Sequence, residues 1–516
     1  MINPDDDQTA RHTIPRWLSI QEAIRGGHFS SFSPKSKGDY VRILDEYASN
    51  FLRTEFEARR SAWLRTKDWY DAEEFIALAV VVGATDDAVA MEAAETLVTG
   101  EASNDGVREF AKRFLNGGIQ PERVTLPIAE AEVRVEIAKR KRMLALNPRD
   151  ALRLTETALL HANLGQLRAS ERLIRRALML TPDDRYVLRA ATRFFVHLGE
   201  PEKAIDVLGR SARTREDPWL NSALLATEAA SGRQSRSWRR ANSLLSDAKF
   251  SPRDLSELAA QIGTMEIAAG ARRRAVKLLR LGAASPTENA VAQIAWVGNH
   301  SRAFEPEDLL SDISISHEAS ARSAYANGSW DDALQESIAW QEIERFSARP
   351  AVFGTFVASV TGKSLDRALA LADAALVANP GNAMLLNNIA VLLAYSGNLP
   401  GAENTLEKAR IHARDRMPSH IATAGLIAFR RGDFVTGCAL YQQTIELATE
   451  LGHFEEALRA YCFYARELVR FDAGFANQVI AHIDRMRSSV EKKVRNVSRD
   501  VDFIRSEIAL NAPLST

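Results

Sequence analysis

The chain has 516 residues, 46% hydrophobic and 26% charged, with 66 Lys and Arg against 67 Asp and Glu. That is ample material for a core, and the near-zero net charge excludes a global field drawing the protein onto nucleic acid or anionic lipid. Two cysteines, Cys438 and Cys462, are too few for a disulfide framework or a cysteine-based metal site, and both are expected to be structural thiols.

The opening MINPDDDQTARHTIPRW is acidic and polar where a secretory signal would be basic and then apolar, and no run of 18 apolar residues occurs. A cytoplasmic protein without a membrane span is expected. Residues 1–37 are rich in Ser, Gly and Pro, with little periodicity beyond Trp17 and Ile24, and read as a flexible tail. In residues 38–147 the run Tyr40, Leu44, Tyr47, Phe51, Phe56 and another over 71–82 keep helical spacing without a clean repeat. Ten Asp or Glu and one Lys lie between Lys67 and Asp105, the pattern of a solvated helical face.

From residue 148 the pattern sharpens. Pro148, Pro182, Pro218, Pro252 and Pro286 stand 34, 36, 34 and 34 residues apart, with helix-pattern sequence in each gap. A fixed period near this length marks a helical repeat array, in which each unit contacts only its neighbours. Gly165, Gly199 and Gly232 fall where two helices must turn back on each other, and each following Pro stops the second helix. Gly263, Gly270, Ala275 and Gly282 put small residues where helices approach closely.

The rhythm fails over 287–313, where one helix near 288–297 precedes a loop. It resumes over 314–472, with turns at Gly328, Gly362, Gly397 and Gly432. Residues 473–516 carry Val479, Ile483, Met486, Val490, Val494, Val497, Val501, Ile504 and Ile508, a heptad seam with one extra-long step on a single helix from about 474 to 510. It would either cap the last repeat or dimerise the chain.

This spacing resembles the tetratricopeptide repeat (TPR) family over roughly residues 120–470. Counting a unit from Ala383, the family's small residues fall on Ala390, Ala402 and Ala409 and its turn glycine on Gly397. Counting from Ala151, Gly165, Ala177 and Pro182 match, while Ser170 and Leu154 replace the usual Ala and Trp. The resemblance implies an all-α, right-handed α-solenoid of TPR-like helical hairpins, with an irregular helical N-terminal region and a long C-terminal helix. It also implies a concave groove lined by the first helix of each unit. Tyr186, Arg189, Arg193 and His197 would line it in the first array, and Asn387, Asn388 and Tyr395 in the second, among apolar neighbours such as Phe353, Val357, Val391 and Leu426. Arg189 and Arg193, one turn apart, suit a carboxylate-bearing ligand. The family's chaperone-tail binders use Lys and Arg with Asn in three consecutive units; only Asn388 matches.

Motifs for chemistry are lacking. Gly362-Lys363-Ser364 ends like a phosphate loop, but position 357 is Val where that loop needs Gly. His317-Glu318 begins like a zinc-protease helix, but position 321 is Ala where the second His belongs. Between Ser231 and Arg280 eleven Lys or Arg face four Asp or Glu, including Arg236, Arg239 and Arg240 around Trp238 and the run Arg272, Arg273, Arg274. Such a patch could engage nucleic acid or an acidic segment, though arginines on outer helices also serve solubility. The expectation is a non-enzymatic scaffold, adaptor or regulatory subunit, without cofactor or metal, binding a protein or peptide, acidic by charge, in its groove. The alternative is a regulator responding to a ligand or nucleic acid and controlling a separately encoded effector.

Overall fold

The computed structural model describes residues 11–20, 23, 52–100, 105–116, 126–233, 237–301, 308–413, 417–491 and 499–510. These contain helices and no strand. They fall into two compact units, one of residues 12–261 and one of Arg11 with residues 262–516.

In the first unit, α1 (Leu52–Thr66), α2 (Trp69–Val81), α3 (Ala88–Thr99), α4 (Asp105–Leu115) and α5 (Leu126–Leu146) bundle around the buried rings of Trp63, Phe75 and Phe110. Tyr40, Leu44, Tyr47 and Phe51 lie outside the described residues. α5 packs on α2 and passes the chain to three hairpins. These are α6 (Ala151–Asn163) with α7 (Leu167–Leu180), α8 (Arg185–His197) with α9 (Pro201–Arg210), and α10 (Pro218–Ala230) with α11 (Trp238–Leu245). The unit ends inside α12 (Pro252–Ala268).

In the second unit, α13 (Arg272–Ala283) and α14 (Glu288–His300) precede an irregular stretch at 308–316; residues 302–307 lie outside the described ones. Four hairpins follow: α15 (His317–Ala326) with α16 (Trp330–Ile343), α17 (Arg349–Thr361) with α18 (Leu365–Ala378), α19 (Ala383–Tyr395) with α20 (Leu399–His412), and α21 (Pro418–Arg431) with α22 (Phe434–Glu450). The chain closes with α23 (Phe454–Phe471), α24 (Ala476–Val490) and α25 (Arg499–Leu510).

Local chemistry sets these boundaries. The side chains of Asp150, Asp184, Asp217, Thr287, Ser316 and Asn382 each accept a bond from a backbone N–H two or three residues on, capping the first helix of a unit for about 1 kcal/mol apiece. Between the helices of each hairpin the chain reverses through a left-handed residue, such as Gly397 at φ 84° and Gly432 at φ 88°, a conformation that costs a side chain dearly and Gly nothing. Ala177, Ala204, Ala333, Ala368 and Ala402 are fully buried where the helices touch. At Gly354 an added Cβ would lie 2.6 Å from Leu371 Cδ2 and 3.0 Å from Ser337 Cβ.

Two expectations need correction. The C-terminal region is not one helix from 474 to 510: α24 and α25 are separate and pack on each other and on α23. Val479, Ile483, Val490, Val501, Ile504 and Ile508 share one core with Val391, Leu426 and Leu458, so these seam residues are buried within their own unit. Val494 and Val497 lie outside the described residues. The second correction concerns the tail. Of the tail expected over 1–37, residues 13, 15–18 and 20 are buried, with Thr13 and Ile20 fully so and Trp17 only 1% exposed, while residues 1–10, 21, 22 and 24–37 lie outside the described residues.

Candidate peptide-binding groove

The first unit's groove is built by α6, α8, α10 and the start of α12, and residues 12–20 of the same chain occupy it. Its side chains hold the segment by the main chain. The Thr13 amide donates to Gln261 Oε1 at 2.9 Å, the Tyr186 hydroxyl donates to the Leu18 carbonyl at 3.0 Å, and the Ile20 amide donates to Glu156 Oε1 at 2.6 Å. Two side chains anchor it as well. Thr13 Oγ1 lies 2.7 Å from Ser222 Oγ, and the Trp17 ring stands edge-on to Phe194 with centroids 5.8 Å apart. Buried amides and carbonyls left without partners each cost on the order of 1–3 kcal/mol, so polar side chains at these depths are what allow an irregular backbone to lie there.

The arginines expected to face a ligand are engaged internally. Arg189 makes a two-pronged pair with Glu257, at 2.8 and 2.9 Å, and both side chains are withdrawn from water, 7% and 0% exposed. Its guanidinium also lies 4.9 Å from the centre of the Trp219 ring. Arg185 is bonded through Nε to Asp217, and Arg140 reaches Glu156 at 3.2 Å. Arg193 is buried and His197 half-buried, so of the four predicted first-array residues only His197 keeps substantial contact with solvent. A groove of free cations for an acidic ligand is therefore not what α8 presents.

Sequence reading missed Gln261, Ser222, Glu156 and Glu257. A signal existed for the last: Glu257 follows Arg189 by 68 residues, close to two repeat periods, so both charges fall early on the first helix of a unit, two units apart.

The second unit buries its two predicted asparagines, while Tyr395 is half-buried. Asn388 donates through Nδ2 to the Val352 carbonyl and Thr355 Oγ1 at 3.1 and 3.2 Å, while Asn387 Oδ1 accepts from Thr423 Oγ1 at 2.9 Å. Both asparagines are fully buried, tying first helices of successive hairpins together and offering nothing to a partner. The apolar wall is likewise covered: α25 places Asp500 between Arg459 Nε (2.7 Å) and the Tyr325 hydroxyl (2.8 Å), and Phe503 against Trp330. Tyr395 lines a cavity of about 460 Å³ with Arg430, Arg466, Arg470 and Glu507. Its hydroxyl accepts from Arg466, and burial pushes its ionisation up, against the pull of Arg466. Near the other end of this unit Arg11 forks onto Glu318 at 3.0 and 2.9 Å. Burial works against that carboxylate, but Arg11, Arg349 and Arg322 hold it well below the usual range.

Of the basic patch, Arg236 lies outside the described residues. Arg239 and Arg240 are exposed beside half-buried Trp238, with Arg240 Nε donating to the Arg215 carbonyl at 2.6 Å. Arg272, Arg273 and Arg274 are exposed on the first turn of α13, in the other unit, with Arg274 3.1 Å from Glu266. Among the described residues no group of three or more His, Cys, Asp or Glu is placed to hold a metal ion, and no helix is long and apolar enough to cross a membrane.

Period, left-handed turn glycine and small buried contact residues agree hairpin by hairpin. The hairpins are tetratricopeptide-like. No family model and no curated protein matches the chain. Among solved structures it is similar to yeast Tom70, at 13% identity and a TM-score of 0.30, covering 92% of this chain and 96% of that one. It is also similar to the Naa15/Naa10 complex bound to HypK-THB, at 13% identity and a TM-score of 0.26, covering 91% and 77%. Likenesses this distant carry no argument about partner or activity.

Proposed function

We propose that this protein is a non-enzymatic interaction module, a scaffold, adaptor or regulatory subunit, that takes an extended peptide segment of a partner along the first helices of its hairpins. One observation carries the reading. The groove of α6, α8, α10 and α12 already binds a peptide main chain, through Gln261, Tyr186 and Glu156 on three different helices. Main-chain capture supplies affinity for any extended segment, and side-chain pockets beside it supply selectivity. Occupancy by the chain itself also favours a second reading, a regulator whose groove is cleared by a peptide signal and which controls a separate effector.

A photo-reactive residue at half-buried His197, on the groove helix α8, tests the site. It should couple to a copurifying protein, while the same group at Met179, 77% exposed on the second helix α7, should not. Coupling from Met179 alone would move the interaction to the outer face.

A further inference from the structure

We infer that residues 12–20 are an internal ligand of the first unit's groove, displaced by a partner segment of the same chemistry: neutral to basic, with a hydroxyl residue followed four positions later by a large aromatic one. The inference deepens the proposed function and rests on it.

The segment's attachment differs from that of the other chain end. α25 enters its core as a helix with three fully or nearly buried aliphatic side chains and a buried ion pair to Arg459. Its hydrogen-bonded backbone is self-sufficient, and its removal strips apolar surface. Residues 12–19 form no helix or strand; the Ile14 amide donates to the His12 carbonyl at 2.7 Å, and the Thr13 and Ile20 amides and the Leu18 carbonyl are bonded to groove side chains. Contacts of this kind can be exchanged one for one with another peptide, since any peptide backbone offers the same amide to Gln261 and Glu156 and the same carbonyl to Tyr186. Selectivity lies at two positions. Thr13 Oγ1 meets both Ser222 Oγ, at 2.7 Å, and Gln261 Oε1, at 3.2 Å, and Trp17 fills the space beside Phe194.

The charge of the displacing segment follows from the groove. Its principal cations are already neutralised: Arg189 by Glu257, Arg185 by Asp217, Arg140 by Glu156. A carboxylate brought in would find no vacant guanidinium among these three and would pay desolvation unaided. The resident segment, HTIPRWLSI, carries Arg16 and no acid.

An internal ligand competes with an external one at an effective concentration that short tethers place in the millimolar range, so an intact chain masks its own site. The probe is a fluorescent synthetic peptide of residues 11–23, titrated into the full-length chain and into full-length Trp17→Ala. The peptide should bind the variant about tenfold or more tighter than the unaltered chain, and a Trp17→Ala peptide should bind that variant about tenfold more weakly than the unaltered peptide does. Equal affinity for both chains, or none for either, would overturn the inference. Amide exchange on the unaltered protein decides the matter without a variant. The Thr13 and Ile20 amides should exchange about a hundredfold faster than those of Leu188 and Phe194 on α8, through local release of the segment. Equal protection would make residues 12–20 a fixed part of the core. That result would leave the crosslinking test of the groove standing, so the two readings fail separately.

Discussion

Arg189 and Glu257 face each other across the first array as a two-pronged ion pair buried from water, with Nη–Oε distances of 2.8 and 2.9 Å. One sits on α8 and the other on α12, two repeat periods apart, so the pair fixes the spacing between first helices that are not sequence neighbours. The segment 12–20 is laid over this frame.

Removing Arg189 takes from the Glu257 carboxylate, 0% exposed, its two-pronged partner in a dry site. Arg189→Ala should destabilise the first unit by about 3–5 kcal/mol, whereas the paired replacement Arg189→Met with Glu257→Leu should cost far less. Chemical denaturation of both variants checks this. Equal losses would mean that the pair itself, not the carboxylate left behind, is what the fold requires.

His161 on α6 makes stability depend on acidity. Burial lowers its ionisation to about 4, against the bond from Nδ1 to Gln166 at 2.6 Å, while an unfolded histidine titrates near 6.5. The folded chain therefore refuses a proton that the unfolded chain accepts. The stabilisation is complete above about 6.5 and is lost as pH falls toward about 4, amounting to about 3 kcal/mol over that window. Denaturation midpoints at several pH values should fall across the window, and His161→Gln should flatten the dependence.

Gly354 on α17 has no room for a side chain. A Cβ there would press on Leu371, Ser337 and Leu334. Gly354→Ala should lower stability by about 1–3 kcal/mol. Gly199 meets no neighbour but holds φ 71°, so Gly199→Ala should cost about 1 kcal/mol through backbone strain alone. Thermal unfolding of the two variants, with crystal structures showing helix displacement only in the first, would separate crowding from strain.

Ending the chain at Glu491 removes Val501, Ile504 and Ile508 from the core they share with Val391 and Leu426. It also takes Asp500 from Arg459, which is 1% exposed and whose contact to Glu455 is longer, at 3.5 Å. The shortened protein should aggregate on size-exclusion chromatography. A soluble, folded monomer would show that α25 is an appendage and not a cover.

The hairpins were legible because each rests on local rules. A capping Asp or Thr starts a helix, a left-handed Gly turns it, and small residues recur where helices meet, all within about 34 residues. The helix that carries Tyr186, Arg189, Arg193 and His197 was legible for the same reason. What covers them was not. Trp17 lies 177 residues from Phe194 and Arg11 lies 307 from Glu318 in the chain, and no periodicity links an aperiodic segment to a distant helix.

The seam Val479 to Ile508 shows the same division from the other side. Its heptad spacing predicted a seam that caps or dimerises, and Val479, Ile483, Val490, Val501, Ile504 and Ile508 are buried within their own unit, but spacing carries no information about which surface covers them. The sequence by itself determined the repeat, its turns and the apolar faces, because those follow from forces acting within one or two helical turns. Only tertiary structure decided that Thr13 to Ile20 and α25 fill the inner faces, because that choice depends on long-range burial, and many apolar segments of one chain compete for it.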